Sequence, residues 1–202
     1  MTESRLIQLQ VKSLKLFRKI HRWTGISLFI FFTIVALTAL ILGWKKNAGE
    51  LIMPSTQKGS ATELALWLSL DSLHSIACRA LHDSVSAALS LDLDRIDVRM
   101  DKGIAKFLFI ERYWEVQLDG ASGKVLNIGR RYSDFFENVH DGLILDRYLG
   151  TSGEPIKLVY TTLMGFALLV FTITGFWLWY GPKRIRHHKH AHKIPDKSTH
   201  KQ

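Results

Sequence analysis

Two long apolar runs dominate the pattern of this chain. Trp23 to Trp44 is 22 residues without a charge, and Leu158 to Pro182 is 25. At 1.5 Å per residue, 22 residues make about 33 Å of helix, slightly more than the roughly 30 Å hydrocarbon core of a bilayer. Each run is therefore predicted to span a membrane as a helix, over 23–44 and 158–182. A core helix of a soluble protein is the other reading, but two charge-free runs of this length are rare outside membranes. Trp23 and Trp44 bracket the first run, and Trp177, Trp179 and Tyr180 close the second, as interfacial aromatic belts do. The first run is too long for an ordinary signal-peptide core and has no clear A-x-A site at its end, so it is expected to be a retained anchor.

Between the runs the pattern changes. Asn47 to Ala61 carries Gly, Pro, Ser and Thr without periodicity and reads as a linker. Leu73, Ile76, Ala77, Ala80 and Leu81 recur at helical spacing within Leu70 to Val85, and Asp71 is placed to cap that helix. Ile96, Val98 and Met100 then alternate with charged residues, and so do Trp114, Val116 and Leu118 with polar ones. A period of two predicts strands with one buried face, Trp114, Val116 and Leu118 lying against Leu73, Ile76 or Leu81. Asp101-Lys102-Gly103 and the cluster Asp119 to Gly123 are turns. The expected fold class is an α+β membrane protein, two transmembrane helices flanking a small extracytoplasmic unit of helix plus antiparallel sheet. Tyr132 to Leu145 is amphipathic and predicts a membrane-proximal helix over 132–145.

Charge sets the orientation. The chain has 202 residues and a net charge of +9, but the excess is confined to its ends. Residues 1–22 hold six Lys/Arg and one acid, residues 183–202 hold seven and one, and the rest hold fourteen and sixteen. Basic flanks on both runs place both termini in the cytoplasm and residues 45–157 outside. The basic ends are short membrane flanks, so lipid is expected as the partner and nucleic acid is not. The single cysteine, Cys78, excludes an internal disulfide framework and reads as a small buried hydrophobe. There is no G-x-S-x-G, H-E-x-x-H, P-loop or dinucleotide fingerprint, so no catalytic residue is assigned.

Nine histidines fall into three groups. His187, His188, His190, His192 and His200 belong to a basic tail attracted to anionic headgroups, with no acidic or cysteine ligands nearby to make a metal site. His74 and His82 are eight residues apart on the predicted outer helix, too far for one metal, and are expected to have surface or capping roles. His21 and His140 differ from these. His21 continues a face carrying Gly25, Leu28 and Phe32, and His140 projects from the apolar face that carries Phe136, Leu143 and Ile144. An imidazole on an apolar, membrane-proximal face needs either a hydrogen-bond partner, a backbone carbonyl or Asp141 for His140, or a metal.

The stretch WEVQLDGASGKVLNIGRR, Trp114 to Arg131, closely resembles the C-terminal hairpin of a PepSY domain. KIHRWTGI before the first run, ENVHDGLIL before the second and TGFWLWYGPKR at its end complete a resemblance to the PepSY-associated transmembrane helix family of bacterial inner membranes. It covers nearly all of residues 15–186. Many members have two such units and four spans, whereas this chain resembles one. Larger members resemble haem-containing reductases of iron–siderophore complexes, and the family's HRW and LH motifs map onto His21 and onto His140, with Val139 in place of the usual leucine. The resemblance thus implies haem b with His21 and His140 as axial ligands; no C-x-x-C-H motif offers covalent attachment.

His21 and His140 are expected at opposite ends of a roughly 30 Å bilayer, so they cannot hold the same haem. A homodimer with its axis along the membrane normal would pair each histidine with its symmetry mate. The stripe Thr161, Gly165, Leu168, Thr172, Gly175 and Trp179 on the second run packs either on a second copy or on the chain's own first helix. Phe32, Phe171 and Trp177 either line the interval between haems or are ordinary lipid-facing or packing residues. The resemblance implies an electron-transfer protein, a reductase component in iron uptake. The alternative is a non-catalytic membrane-anchored module that binds or restrains a peptidase or another envelope partner by adding a strand at the sheet edge.

Overall fold

The computed structural model describes residues 3–191, and these divide into two compact units. One joins the described residues up to Val35 with those from Leu149 onward; the other is Ala36–Tyr148.

The first unit is built from α1 (Glu3–Trp44), apart from its last turns, and α5 (Pro155–Ala191). The helix α1 begins well before Trp23. No Gly or Pro occurs before Gly25 to stop it, so the basic flank 1–22 is helical from Glu3 onward. Likewise α5 runs past the expected end at Pro182, carrying that proline inside it. The two helices are antiparallel: Phe17 meets Trp177, His21 meets Thr174 and Phe31 meets Tyr160, so the numbers fall on α5 as they rise on α1. Only 6% and 11% of their apolar windows are buried, which is not how a soluble core helix sits. Phe29, Ile30, Phe166 and Leu169 point away from the protein, as side chains solvated by lipid do.

The α5 face that meets α1 is Met164, Ala167, Phe171, Thr174 and Gly181. The small-residue stripe lies one position over and does not pack on α1. Gly165 has open space where a Cβ would be, and Leu168 and Trp179 are exposed; only Gly175 reaches α1, through His21.

The second unit holds α2 (Leu70–Ser84), β1 (Leu93–Arg99), β2 (Ile104–Phe109), β3 (Trp114–Asp119), β4 (Val125–Arg130), α3 (Tyr132–Asp141) and α4 (Leu143–Leu149). The strands form an antiparallel meander in the order β1-β2-β3-β4. Leu73, Ala77 and Leu81 of α2 pack on Ala105, Phe107, Phe109, Val116 and Leu118 to make the core, with Trp114 and Ile76 at its margin. Ser69, not Asp71, caps α2: its hydroxyl accepts from the Ser72 N–H at 3.1 Å, two positions ahead of the aspartate, which lies in the first turn.

The segment expected as a loose linker is a strap across the other sheet face. Gln57 N–H donates to Gln117 Oε1 at 3.0 Å, Gln117 Nε2 donates to the Ser55 carbonyl at 2.9 Å, and Ser60 N–H and Oγ both donate to Asp119. Gly59 is required here, since a Cβ would lie 2.1 Å from the Gly103 carbonyl oxygen. With α2 on one face and the strap on the other, β2 is buried at every position.

The predicted helix over 132–145 is broken in two. Gly142 takes φ 83, the left-handed conformation that ends α3, and Asp141 Oδ1 accepts the Leu143 N–H at 3.0 Å to start α4.

Candidate functional site

His21 lies on the α1 face with Gly25, Leu28 and Phe32, all half-buried. Its ring stacks on Phe171, centroids 3.9 Å apart with the planes 26° from parallel. Two glycines make room for this pair. A Cβ at Gly175 would sit 3.3 Å from His21 Cε1, and one at Gly25 would sit 3.2 Å from Phe171 Cε2. His21 Nδ1 is 2.9 Å from Thr174 Oγ1, and Thr174 is 3% exposed. Thr174 Oγ1 in turn donates to the carbonyl of Val170 at 2.7 Å, with Phe171 O at 3.1 Å. Phe171, which the sequence left between cofactor-lining and packing roles, is thus the platform under the His21 ring. Trp177 packs against Phe17.

His140 closes α3 and belongs to the other unit, together with the last turns of α1. Its partner is neither a carbonyl nor Asp141. Thr38, buried on α1, places Oγ1 2.9 Å from His140 Nδ1, while Asp141 holds the start of α4. The two histidines therefore share one motif: a half-buried imidazole whose Nδ1 meets a buried helical threonine hydroxyl. In each case the Nε2 edge is the end left to bind a metal.

Sequence reading missed both threonines. Thr174 is 153 positions from His21 and Thr38 is 102 from His140, so no local pattern links them. The available signal was weaker: a polar side chain inside an apolar span has to find a partner.

The two histidines of α2 have structural partners. His74 lies 3.3 Å from Cys78 Sγ through Nε2 and stacks on Phe107, and His82 Nε2 donates to the Leu89 carbonyl at 3.1 Å. Cys78 is half-buried beside the core, and burial pushes its thiol pKa up, away from the reactive thiolate. Among the described residues no group of three or more His, Cys, Asp or Glu converges as a metal site. The tail histidines lie outside the residues whose side chains are described.

α3 is held to the sheet by charge. Arg131, at the start of α3, reaches Glu115 at 2.9 Å, Asp134 at 2.8 Å and Asp97 at 3.1 Å. Burial works against the Arg131 charge, but Asp134 and Glu115 outweigh it and hold its pKa above the ordinary value. Glu115 is fully buried and also accepts from Lys106 and Gln117, so no buried charge here is unpaired. Arg147 of α4 reaches Asp94 at 2.8 Å. The helix that carries His140 is thereby fixed to the strands β1 and β3.

The order of parts is an apolar span, a helix-covered four-stranded meander, a histidine helix and a second apolar span. No curated protein is significantly similar to the chain. Residues 18–201 match the family described as the PepSY-associated TM region, and the chain is a membrane protein belonging to that family.

Proposed function

We propose that this protein transfers electrons across the bacterial inner membrane, with haem b held by His21 near the cytoplasmic side and by His140 near the outer side, and that it serves as a reductase component in iron uptake. The observation that carries this reading is the shared motif of the two histidines. Both are tethered through Nδ1 to a buried threonine, which leaves Nε2 as the ligating nitrogen. The setting of His21 holds the ring in place: Phe171 stacks on one face, and the glycines at 25 and 175 let the pair pack closely between the helices. Haem, when bound, supplies a one-electron couple, and two imidazoles leave it no open position for oxygen. The chain's own part is to hold each imidazole in one orientation and to exclude water from it. A homodimer with both termini in the cytoplasm supplies the second imidazole of each pair, and the exposed stripe with Thr161, Gly165 and Thr172 is the surface for it.

The test is the visible spectrum of the detergent-purified protein from haem-replete cells. Sharp reduced bands of a low-spin b-type cytochrome are expected. A colourless preparation contradicts the reading and favours the other one, a membrane-anchored module that binds an envelope partner. That alternative has its own observation: β1 is an edge strand, and Ile96 to Arg99 line an open cleft of about 400 Å³ with Met53, Lys106 and Arg131.

A further inference from the structure

We infer that Thr174 is a positioning residue that fixes the proton of His21 on Nδ1, so that the ring presents a bare Nε2 lone pair, and that Thr38 does the same for His140. The inference deepens the haem reading but rests on hydrogen-bond geometry that is independent of haem. A threonine hydroxyl has one hydrogen and two lone pairs. The Thr174 hydrogen is committed to the helix backbone, because Val170 O, at 2.7 Å, can only accept. What Thr174 offers His21 Nδ1 at 2.9 Å is a lone pair, so Nδ1 must be the donor. A neutral imidazole carries one N–H, and Nε2 is left unprotonated. Free histidine side chains favour the opposite tautomer, with the proton on Nε2.

The rest of the pocket holds the ring to this arrangement. Phe171 covers one face of the ring, and Gly175 lets its edge approach α5 closely. Turning the ring over would place a carbon against Thr174 Oγ1 and leave Nδ1 without this acceptor in an apolar setting, which is costly. Thr38 stands at the same 2.9 Å from His140 Nδ1 and is also on a helix, where a threonine hydroxyl has the carbonyl one turn back within reach as an acceptor. Donation from Nδ1 makes Nε2 a better electron donor to a metal, which would favour the oxidised state of an iron bound there.

The experiment compares the full-length protein with Thr174→Ser and Thr174→Val, labelled with ¹⁵N at histidine and reconstituted in bilayers. His21 is assigned by the signal lost in His21→Gln. In protein made without haem, the His21 nitrogens should report the Nδ1–H tautomer in the wild type and in Thr174→Ser, and should move toward Nε2–H in Thr174→Val. In haem-loaded protein, Thr174→Val should raise the midpoint potential of one haem and weaken haem retention about tenfold. Thr174→Ser should restore both. An Nε2–H tautomer in the wild type overturns the inference, as does a Thr174→Val protein indistinguishable from the wild type. A wild type that shows Nδ1–H but takes up no haem supports the role of Thr174 while ending the haem reading. Thr174→Val changes little in volume, and Thr174→Ser keeps the test open should the valine variant fail to fold.

Discussion

A single hydroxyl hydrogen decides what the neighbouring imidazole can do, and single side chains carry similar weight in the unit Ala36–Tyr148. Asp119 sits at the end of β3 and receives the Ser60 N–H and hydroxyl as well as the Ala121 N–H. Burial raises its pKa, but the Ser60 hydroxyl and the N–H groups of Ala121, Ser122 and Ser60 outweigh that and hold it below the usual carboxylate value. The folded-state pKa is lower than the unfolded one, so ionised Asp119 stabilises the fold above about pH 4. That contribution disappears as the pH falls through the folded-state value. Asp119→Asn should lower stability by about 1–2 kcal/mol near neutrality and reduce the loss of stability in acid. Melting temperature against pH, read on the two proteins in detergent, checks both expectations.

At the scale of elements, the buried sheet face and the strap are the parts most open to test. Val116→Asp places a carboxylate against Leu73, Ala77 and Leu81 and should cost several kcal/mol, seen as protease sensitivity of the sheet-bearing unit. Gly59→Val should lift the strap from the sheet, because its side chain would have to occupy the Gly103 carbonyl. The diagnostic outcome is faster amide exchange at Gln57 and Ser60 with the α2-facing core unchanged. Periodicity made some of these elements readable. Both apolar spans, α2 and the Val116–Leu118 face follow from residues whose neighbours along the chain report their surroundings. β2 did not show as alternating, because Ile104–Phe109 is buried on both faces and even Lys106 is enclosed. The strap read as a linker because its order comes from hydrogen bonds to a distant sheet, not from its own apolar residues. His21 and His140 stood out as imidazoles on apolar faces. Their threonines did not, since each pairing spans more than a hundred positions.

At the scale of the whole molecule, topology and assembly decide what the two histidines can do. The proposed orientation, argued from the basic flanks, puts residues 45–157 outside, and Cys78 is the single thiol that reports it. In intact cells Cys78 should resist a membrane-impermeant reagent while the domain is folded, because it is half-buried, and should react once the outer unit is unfolded from outside. Labelling only after the membrane is broken would contradict the orientation. The most direct measurement of the central claim is haem per protomer in the purified wild type, His21→Ala, His140→Ala and the double variant, each checked for the same dimeric size in detergent. Two haems shared across a dimer predict about one per protomer in the wild type, half of that in each single variant and none in the double, if the sites are independent. A wild type without haem, or a double variant that keeps it, would contradict the account.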